Sequence, residues 1–580
     1  MNLIDALELL KEPLPEEAPA LRVFLGCGFT PLHLETFLAA ECRTLLPGYR
    51  VEIDKGLFGD LLGNLERVRA SEFDTVVVVI ESSDLDPRLG VRNLGGWQVG
   101  ILADIVETVK RSVERLTLSL QRIAAKARVI LSLPTLPLPP LFFTRNVESS
   151  RYELILRACI ASLAASLAEN PRLRILNAQH LDECSHPSLR FDLKSELAYG
   201  FPFKTTHASC LAQLLASLIQ PPVRKKGLIT DLDDTLWSGI LGEVGIDGIS
   251  WHIDQGTQLH GLYQQFLASL ASAGILVAIA SKNDSALVNE ALGRPDLLLS
   301  KDSIFPVEAH WDRKSESVRR ILQIWNIAPD SVVFLDDSPM EVSEVRMAFP
   351  EMECIVFPNA DSLAFWDLLK RLRNFFGATV LSEEDNLRLR SIRDVDGFQQ
   401  SLSAGLSSPD LFLQEAGASV VFTFGKSRAD SRAFELINKT NQFNLNGERF
   451  SESAWAKFLE DPATFVIAVS YEDKYGKLGK IAVLLGRASG KTIFVDAWVM
   501  SCRAFSRRIE HQCLRYLFDK FGAEEIAFAY RPTSRNGTLQ ELFAQLLGSP
   551  TVEECRLSKS SFAQKAPSLF HRVEEVELSE

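Results

Sequence analysis

The chain has 580 residues, which is too long for a single hydrophobic core and predicts several domains. Its composition, 46% hydrophobic and 24% charged, is typical of soluble globular proteins. Its formal net charge of −13 argues against nucleic acid or an anionic membrane as a partner, because an acidic surface repels both. Nine cysteines without a C-x-x-C pair predict neither a zinc site nor a disulfide framework. The acidic start MNLIDALELL does not resemble a signal peptide, and the most apolar window, 130–143, is interrupted by prolines. We therefore expect a cytoplasmic protein that does not span a membrane.

Residues 1–222 alternate short apolar runs with amphipathic stretches. The stretches 98–126 and 148–168 carry a helical pattern. The aliphatic runs without polar alternation are predicted to be buried strands: 21–26, 75–80, 127–133 and 172–178. Strands and helices in this rhythm predict a first domain with a parallel sheet covered by helices on both faces.

A second α/β domain is predicted over residues 223–375, and the polar region 376–412 is predicted to be a linker. The central strands of the second domain are GLIT (227–230), ILVAIA (275–280) and SVVFL (331–335), with helices near 257–272, 284–292 and 315–325. In the last region, 413–580, a mixed sheet is predicted from the runs VVFTF, FVIAVSY, KIAVLLGR, IFVDAWVM and EIAFAY. Its helices are expected near 428–438, 453–460, 505–521 and 537–547.

Acidic residues directly follow the predicted strand 227–230, in the order Asp231-Leu232-Asp233-Asp234-Thr235. Carboxylates at positions i and i+2 beyond a strand end project into the crevice where open parallel sheets bind ligands. One carboxylate can attack phosphorus, while the other donates a proton to the leaving oxygen and then activates water. Because neighbouring carboxylates repel each other and a phosphate, such a site requires a divalent cation.

Polar residues also follow the next two central strands. Ser281 comes directly after the run 275–280 and precedes Lys282, and a hydroxyl there can donate to a transferring phosphoryl oxygen. Lys314 opens a predicted helix and can neutralise developing charge. Asp336 and Asp337 follow the run 331–335 and offer the hard oxygen atoms that magnesium prefers. Each feature alone is common on protein surfaces, but four strand-end elements in this order predict a phosphoryl-transfer site.

These elements resemble the four motifs of the haloacid-dehalogenase superfamily. The resemblance implies that Asp231 is the nucleophile and Asp233 the general acid and base. It implies further that four residues bind the phosphate: Thr235, Ser281, Lys282 and Lys314. The implied Mg²⁺ ligands are Asp231, Asp233, Asp336 and Asp337. No large cap insertion separates the motifs, so the glycine-containing segment 237–249 is expected to control access.

A closer resemblance, to the FkbH family of polyketide and nonribosomal-peptide pathways, extends over nearly the whole chain. It rests on DLDDTLWSGILGEVG, IASKND, HWDRKSESVRRI and VVFLDDSPMEVSEVR, and further on INKTNQFNLN (437–446) and VDAWVMSCRAFSRRIE (495–510). The implied fold is multi-domain α/β, with a Rossmann-like core between an SGNH-hydrolase-like (flavodoxin-like) domain and a GNAT-like α+β domain. The implied reaction removes phosphate from 1,3-bisphosphoglycerate, or a related phosphorylated acid, and loads the glyceryl unit onto the phosphopantetheine thiol of an acyl carrier protein.

The sequence departs from that family in two places, and its first domain also departs from the pattern of an SGNH hydrolase. Ala280 stands where the family has a cysteine before the motif serine, and Cys502 is the substitute acyl thiol on motif grounds. The stretch 503–508 lacks the glycines with which acyl-CoA sites cradle a pyrophosphate, so we expect a structural or docking domain there. In the first domain Cys27 or Thr30 could attack and His207 could serve as base, but Lys204 replaces the orienting aspartate. Two alternatives therefore stay open: a Mg-dependent phosphatase without acyl transfer, and a non-catalytic assembly protein.

Overall fold

The computed structural model of the protein describes residues 1–15, 18–140, 144–145, 147–378, 389–390, 392–393, 409–426, 430–440, 443–474, 476–501, 504–505, 507–533, 536–548 and 555–577. The chain forms two compact units, Met1–Pro222 and Val223–Glu580. Most of the predicted linker 376–412 lies outside the described residues. Among the described helices, none combines the length and the apolar character needed to cross a membrane.

The N-terminal unit contains a five-stranded parallel sheet in the order β2-β1-β3-β4-β5. Its strands are β1 Ala20–Gly26, β2 Arg50–Lys55, β3 Thr75–Val79, β4 Arg128–Ser132 and β5 Leu173–Ile175. Its helices are α1 Leu3–Lys11, α2 Leu32–Leu45, α3 Leu61–Arg67, α4 Ser82–Leu85, α5 Leu102–Ala124, α6 Arg151–Ala168, α7 Ala178–Cys184, α8 Leu193–Tyr199 and α9 Thr205–Ile219.

The central strand β3 explains why this sheet is covered on both faces. Its five residues are all buried, and successive side chains of a strand point to opposite faces. Val76 and Val78 belong to the core cluster that includes residues of α5 and α6, whereas Val77 and Val79 belong to the cluster with residues of α2 and α9. The prediction of a parallel sheet between two helical layers is confirmed.

The C-terminal unit contains a second parallel sheet, in the order β10-β9-β6-β7-β8. Its strands are β6 Gly227–Thr230, β7 Leu276–Ser281, β8 Ile304–Ala309, β9 Val332–Asp336 and β10 Glu353–Val356. Its helices are α10 Leu241–Val244, α11 Gln258–Ser272, α12 Ser285–Ala291, α13 Lys314–Trp325, α14 Pro339–Ala348 and α15 Ser362–Phe376. The register aligns Thr230 with Ile279 and Leu335, so positions 231, 280 and 336 lie side by side where the strands end. We call this the carboxyl edge.

The third sheet is mixed and has seven strands in the order β16-β15-β14-β13-β12-β11-β17. These are β11 Ser419–Phe424, β12 Thr464–Asp473, β13 Gly476–Ser489, β14 Thr492–Met500, β15 Glu525–Phe528, β16 Arg556–Ser558 and β17 Arg572–Glu577. Further helices among the described residues are α16 Pro409–Glu415, α17 Ser431–Lys439, α18 Glu452–Glu460, α19 Ile509–Phe521, α20 Gly537–Leu547 and α21 Lys559–Lys565. The multi-domain α/β fold class is thus confirmed.

Candidate active site

The predicted nucleophile lies at the carboxyl edge, directly after β6 in the middle of the second sheet. The backbone N–H of Asp231 donates to Leu335 O at 2.9 Å, and only 7% of the residue is exposed. The buried hydroxyl of Tyr263 on α11 donates to Thr230 Oγ1 at 3.1 Å. The strand end that carries Asp231 is therefore fixed by hydrogen bonds to a neighbouring strand and to a helix.

A sharp turn follows and fixes the second predicted catalytic carboxylate. Asp234 has a left-handed φ of +49°, and its Oδ1 accepts a hydrogen bond from Gly239 N at 2.8 Å. Asp233 Oδ1 accepts hydrogen bonds from Trp237 Nε1 at 3.0 Å and from Leu241 N at 3.1 Å. Aspartate tolerates the left-handed region better than most residues, because its short side chain bonds to nearby backbone. The turn thus holds Asp233 through donors from its own segment.

Lys314, the first residue of α13, joins three carboxylates at the carboxyl edge. Its Nζ lies 2.6 Å from Asp231 Oδ1, 2.9 Å from Asp336 Oδ2 and 3.2 Å from Glu341 Oε2. It also donates to Ala280 O at 2.8 Å, and the residue is 1% exposed. A buried ammonium requires such partners, since an unpaired charge in the interior is costly.

The charges of this cluster shift one another. Burial disfavours the charged lysine, but the carboxylates of Asp231, Asp336 and Glu341 outweigh that effect and raise the pKa of Lys314. Burial, followed by the charge of Asp231, raises the pKa of Asp336 to about 7, although Lys314 opposes the shift. Burial also raises the pKa of Asp337 to about 6. Burial and the mutual repulsion of the carboxylates thus oppose the ionisation of Asp336 and Asp337.

Two of the four predicted phosphate-binding residues, Ser281 and Lys314, lie at the carboxyl edge. The other two, Lys282 and Thr235, contact residues that follow β9. Ser281 ends β7 at the carboxyl edge, is 2% exposed, and accepts a hydrogen bond from Asn283 Nδ2 at 3.3 Å. Lys282 instead pairs with Glu341 Oε1 at 2.8 Å. Thr235 is fully buried, and its Oγ1 accepts a hydrogen bond from Asp337 N at 3.1 Å, so its hydroxyl holds the loop after β9.

Three acidic residues at the carboxyl edge can hold a divalent cation. Carboxylate oxygens of Asp231, Asp336 and Glu341 all lie within 4.8 Å of one another, and hard oxygen donors of this kind suit magnesium. The set includes neither Asp233 nor Asp337 and adds Glu341, which our sequence reasoning missed. Its signal was its place five residues after Asp336, in the first turn of α14.

The segment expected to control access is tied down along its length. Ser238 and Ser250 form a β-bridge. Arg294 Nη1 donates to Ile246 O at 2.8 Å and Ile249 O at 3.0 Å, and the guanidinium carbon lies 4.3 Å from the centroid of the Trp251 ring. The β-bridge and the hydrogen bonds from Arg294 thus hold the segment against its own domain.

No described cysteine lies at the carboxyl edge. Ala280 is fully buried, and Cys502, the predicted substitute thiol, lies outside the described residues. The other cysteines of the C-terminal unit, Cys354, Cys513 and Cys555, are buried, and burial raises their thiol pKa values.

In the third sheet, which we call the C-terminal sheet, β14 and β15 pair only over their first four residues. Beyond that point another segment of the chain lies in the gap between them. Leu445 N donates to Trp498 O at 2.9 Å, Met500 N donates to Phe443 O at 3.0 Å, and Arg531 N donates to Leu445 O at 3.1 Å. Segment 443–446 therefore bonds to the chain on both sides of the gap. Within the described part of 503–508, the arginine side chains are engaged. Arg507 lies 3.5 Å from Asp473, and Arg508 lies 2.7 Å from Asp410.

Two of the candidate hydrolase residues of the N-terminal unit, Cys27 and His207, are packed as structural residues. The Cys27 thiol donates to Phe29 O at 3.2 Å, and burial raises its pKa. His207 is fully buried between Thr135 Oγ1 at 3.2 Å and Ser185 Oγ at 2.9 Å. Burial, with the nearby Arg190, lowers the pKa of His207 to about 3. A histidine held in this way is a poor general base at neutral pH.

No protein-family model and no curated protein matches the chain. Among solved structures, the N-terminal part of the protein BF1531 from Bacteroides fragilis, containing a phosphatase domain and complexed with Mg, is 21% identical at a TM-score of 0.50. The match covers 66% of this chain and 100% of that chain. The likeness shows the fold.

Two further solved structures match more weakly. A phospholipase A1 from Streptomyces albidoflavus NA297 is 15% identical and an extracellular lipase from Streptomyces rimosus is 14% identical, each at a TM-score of 0.25. Each match covers 34% of this chain and 99% of the other chain. Likenesses of this strength carry no structural argument.

Proposed function

We propose that residues 223–375 form a magnesium-dependent phosphoryl-transfer domain with Asp231 as its nucleophile. The observation that carries the proposal is the buried contact of Lys314 with Asp231, Asp336 and Glu341. With all four groups ionised, three carboxylates and one ammonium leave two negative charges, which one divalent cation neutralises. The donor set thus fits Mg²⁺, with Asp231, Asp336 and Glu341 as the residues that would hold it.

The residues at the carboxyl edge divide the chemistry between them. An Asp231 oxygen forms a bond to phosphorus as the bond to the leaving oxygen breaks, and Asp233 supplies a proton where that oxygen requires one. Water then attacks the aspartyl phosphate, gives its proton to Asp233 and releases phosphate. Lys314 and the Ser281 hydroxyl stabilise the charge on the transferring group. Bound Mg²⁺ would supply Lewis-acid stabilisation of that same charge.

The substrate and partner that we propose follow from the FkbH-like motifs. The substrate is 1,3-bisphosphoglycerate or a related phosphorylated acid, and the partner is an acyl carrier protein in the cytoplasm. A thioester forms between the acyl carbon and the carrier sulfur, the acyl phosphate leaves as phosphate, and the thiol proton passes to solvent. The second phosphate is removed through Asp231. Because Ala280 replaces the family cysteine, we propose direct transfer to the carrier thiol, without a thioester on the enzyme at that position.

The buried contact of Lys314 with three carboxylates equally supports a second candidate function, a phosphatase without acyl transfer. Ala280 and the burial of all three described cysteines in the C-terminal unit favour it. Intact-protein mass spectrometry of a mixture with Mg²⁺, 1,3-bisphosphoglycerate and phosphopantetheinylated carrier separates the two. A glyceryl adduct on the carrier selects the acyltransferase, and phosphate release with an unmodified carrier selects the phosphatase.

Replacement of the nucleophile tests the proposal itself. Asp231→Asn should abolish phosphate release, because an amide is a very poor nucleophile, while the fold is retained. The matched control is Asp302→Asn, which removes the same charge from an exposed position in the same domain, outside segment 237–249, and should keep full activity. Phosphate release by Asp231→Asn at the rate of this control would refute the assignment.

A further inference from the structure

Asn283 connects the two strand ends that carry the predicted acid/base and the predicted phosphate-binding hydroxyl. It lies two residues beyond β7 and is 3% exposed. Its Nδ2 donates to Asp233 Oδ2 at 2.9 Å and to Ser281 Oγ at 3.3 Å. An ionised carboxylate only accepts hydrogen bonds, so the NH₂ group, rather than the carbonyl oxygen, must face Asp233.

The two oxygens of Asp233 are held from different parts of the chain. Oδ1 accepts its hydrogen bonds from Trp237 and Leu241, within eight residues of Asp233 itself. Oδ2 accepts its hydrogen bond from Asn283, fifty residues away in the loop that follows the neighbouring strand β7. Loss of the Asn283 amide would remove this restraint on Oδ2, so the carboxylate would be held through Oδ1 alone about a terminal torsion that is soft for aspartate.

The contact with Ser281 has a directional consequence. Because the Asn283 amide donates to Ser281 Oγ, the hydroxyl hydrogen of Ser281 is not used in that contact. The serine is therefore left as a donor that can turn towards a phosphoryl oxygen at the carboxyl edge. A single amide group thus sets the orientation of both the base and the donor.

We propose that Asn283 is a positioning residue that fixes Asp233 Oδ2 for the hydrolysis of the aspartyl phosphate. The inference rests on the proposed function of Asp231. In the hydrolytic step the water oxygen bonds to phosphorus, the bond from phosphorus to the Asp231 oxygen breaks, and the water proton passes to Asp233. That step requires an oriented carboxylate. Transfer from a substrate whose leaving group departs as an anion does not, because no proton is needed.

The test therefore uses p-nitrophenyl phosphate, whose nitrophenolate leaves without a proton. With the full chain and Mg²⁺, Asn283→Ala should lower kcat about 10- to 100-fold, with a smaller effect on the formation of the aspartyl phosphate. Acid-quenched intact-protein mass spectrometry should show the phosphorylated enzyme accumulating in the variant beyond its level in the unsubstituted chain. A residue that only supports the fold would lower both steps together.

The controls separate the failure of this proposal from failure of the proposed function. Asp231→Asn should give no adduct and no phosphate, and an unsubstituted chain that gives neither would overturn the function itself. Turnover and adduct level in Asn283→Ala equal to those of the unsubstituted chain would overturn the positioning role alone. If the alanine variant fails to fold, Asn283→Ser, which keeps a hydroxyl donor, replaces it. That variant should show the same accumulation to a smaller degree, and its absence would likewise overturn the role.

Discussion

Replacement of Lys314 by methionine would test the electrostatic account of the site. Methionine keeps much of the length of the side chain and removes the ammonium, so the buried carboxylates of Asp231, Asp336 and Glu341 lose their common partner. Removing one member of a buried ion pair costs about 3–5 kcal/mol, because the remaining charge stays uncompensated. We expect a loss of that order in the free energy of opening around β6 and β9, measured without divalent cation.

The pH dependence of that loss has a definite sign. Without the ammonium, the pKa values of Asp231 and Asp336 rise further above their ordinary range. The folded variant then binds protons that its unfolded chain does not, so the variant gains stability relative to the original protein as pH falls. Magnesium should restore part of the loss, because a divalent cation replaces the missing positive charge.

Hydrogen exchange of peptides that span β6 and β9 is the suitable assay, since a chain with several domains does not unfold in one step. Lys301→Met is the matched control, because it removes the same charge from an exposed position of the same domain and should change stability by less than about 0.5 kcal/mol. A Lys314→Met variant as stable as this control, without a response to Mg²⁺, would refute the account.

Two further predictions concern stability elsewhere. The pKa of His207 is lowered to about 3 in the folded protein, whereas a histidine in the unfolded chain takes up a proton near pH 6.5. As pH falls from 6.5 towards 3, the unfolded chain therefore binds a proton that the folded N-terminal unit does not, and the unit should lose stability, by about 5 kcal/mol at most. Burial also raises the pKa of Glu81 to about 8 and that of Asp84 to about 7, but both proteins contain these carboxyls, so the test is the difference between two urea-denaturation profiles. The stability of the unsubstituted chain relative to His207→Gln should fall as pH is lowered from 6.5 towards 3, and parallel profiles would contradict the prediction. Gly227→Ala should cost about 1–3 kcal/mol, because its Cβ would lie 2.4 Å from Trp325, whereas Gly242→Ala, with open space around it, should be nearly neutral by the exchange assay. Equal stability of the two glycine variants would show that Trp325 yields.

The sequence predicted the central strands of all three sheets and failed mainly at their edges. The strands that it did not identify are β2, β8, β10, β16 and β17, and each lies at the end of its strand order. Edge strands need not be apolar on both faces. Strand β8 contains a proline, and every residue of β17 is exposed. Periodicity is strongest where burial is complete, so it identifies the centre of a sheet before its rim.

At the site, the order of motifs brought Asp231, Ser281, Lys314 and Asp336 to the carboxyl edge, because parallel strands end at the same side of their sheet. Glu341 and the orienting role of Asn283 could not be predicted in the same way. Their contacts depend on side-chain directions and on the exact start of α14, which the spacing of motifs does not determine. The engagement of Lys282 with Glu341, rather than with a free crevice, depends on the same details.

Segment 443–446 has a consequence for the order in which the C-terminal sheet assembles. Asn446 donates to the carbonyl of Asp496, fifty residues later, and Asn536 donates to the carbonyl of Asn444 across ninety-two residues. During synthesis the segment leaves the ribosome long before either partner exists. Contacts between distant residues close slowly, because a long loop must be ordered first. The sheet around 443–446 therefore completes its hydrogen bonding only after residue 536 has been made, and truncation before that point should leave this region unfolded and open to proteolysis.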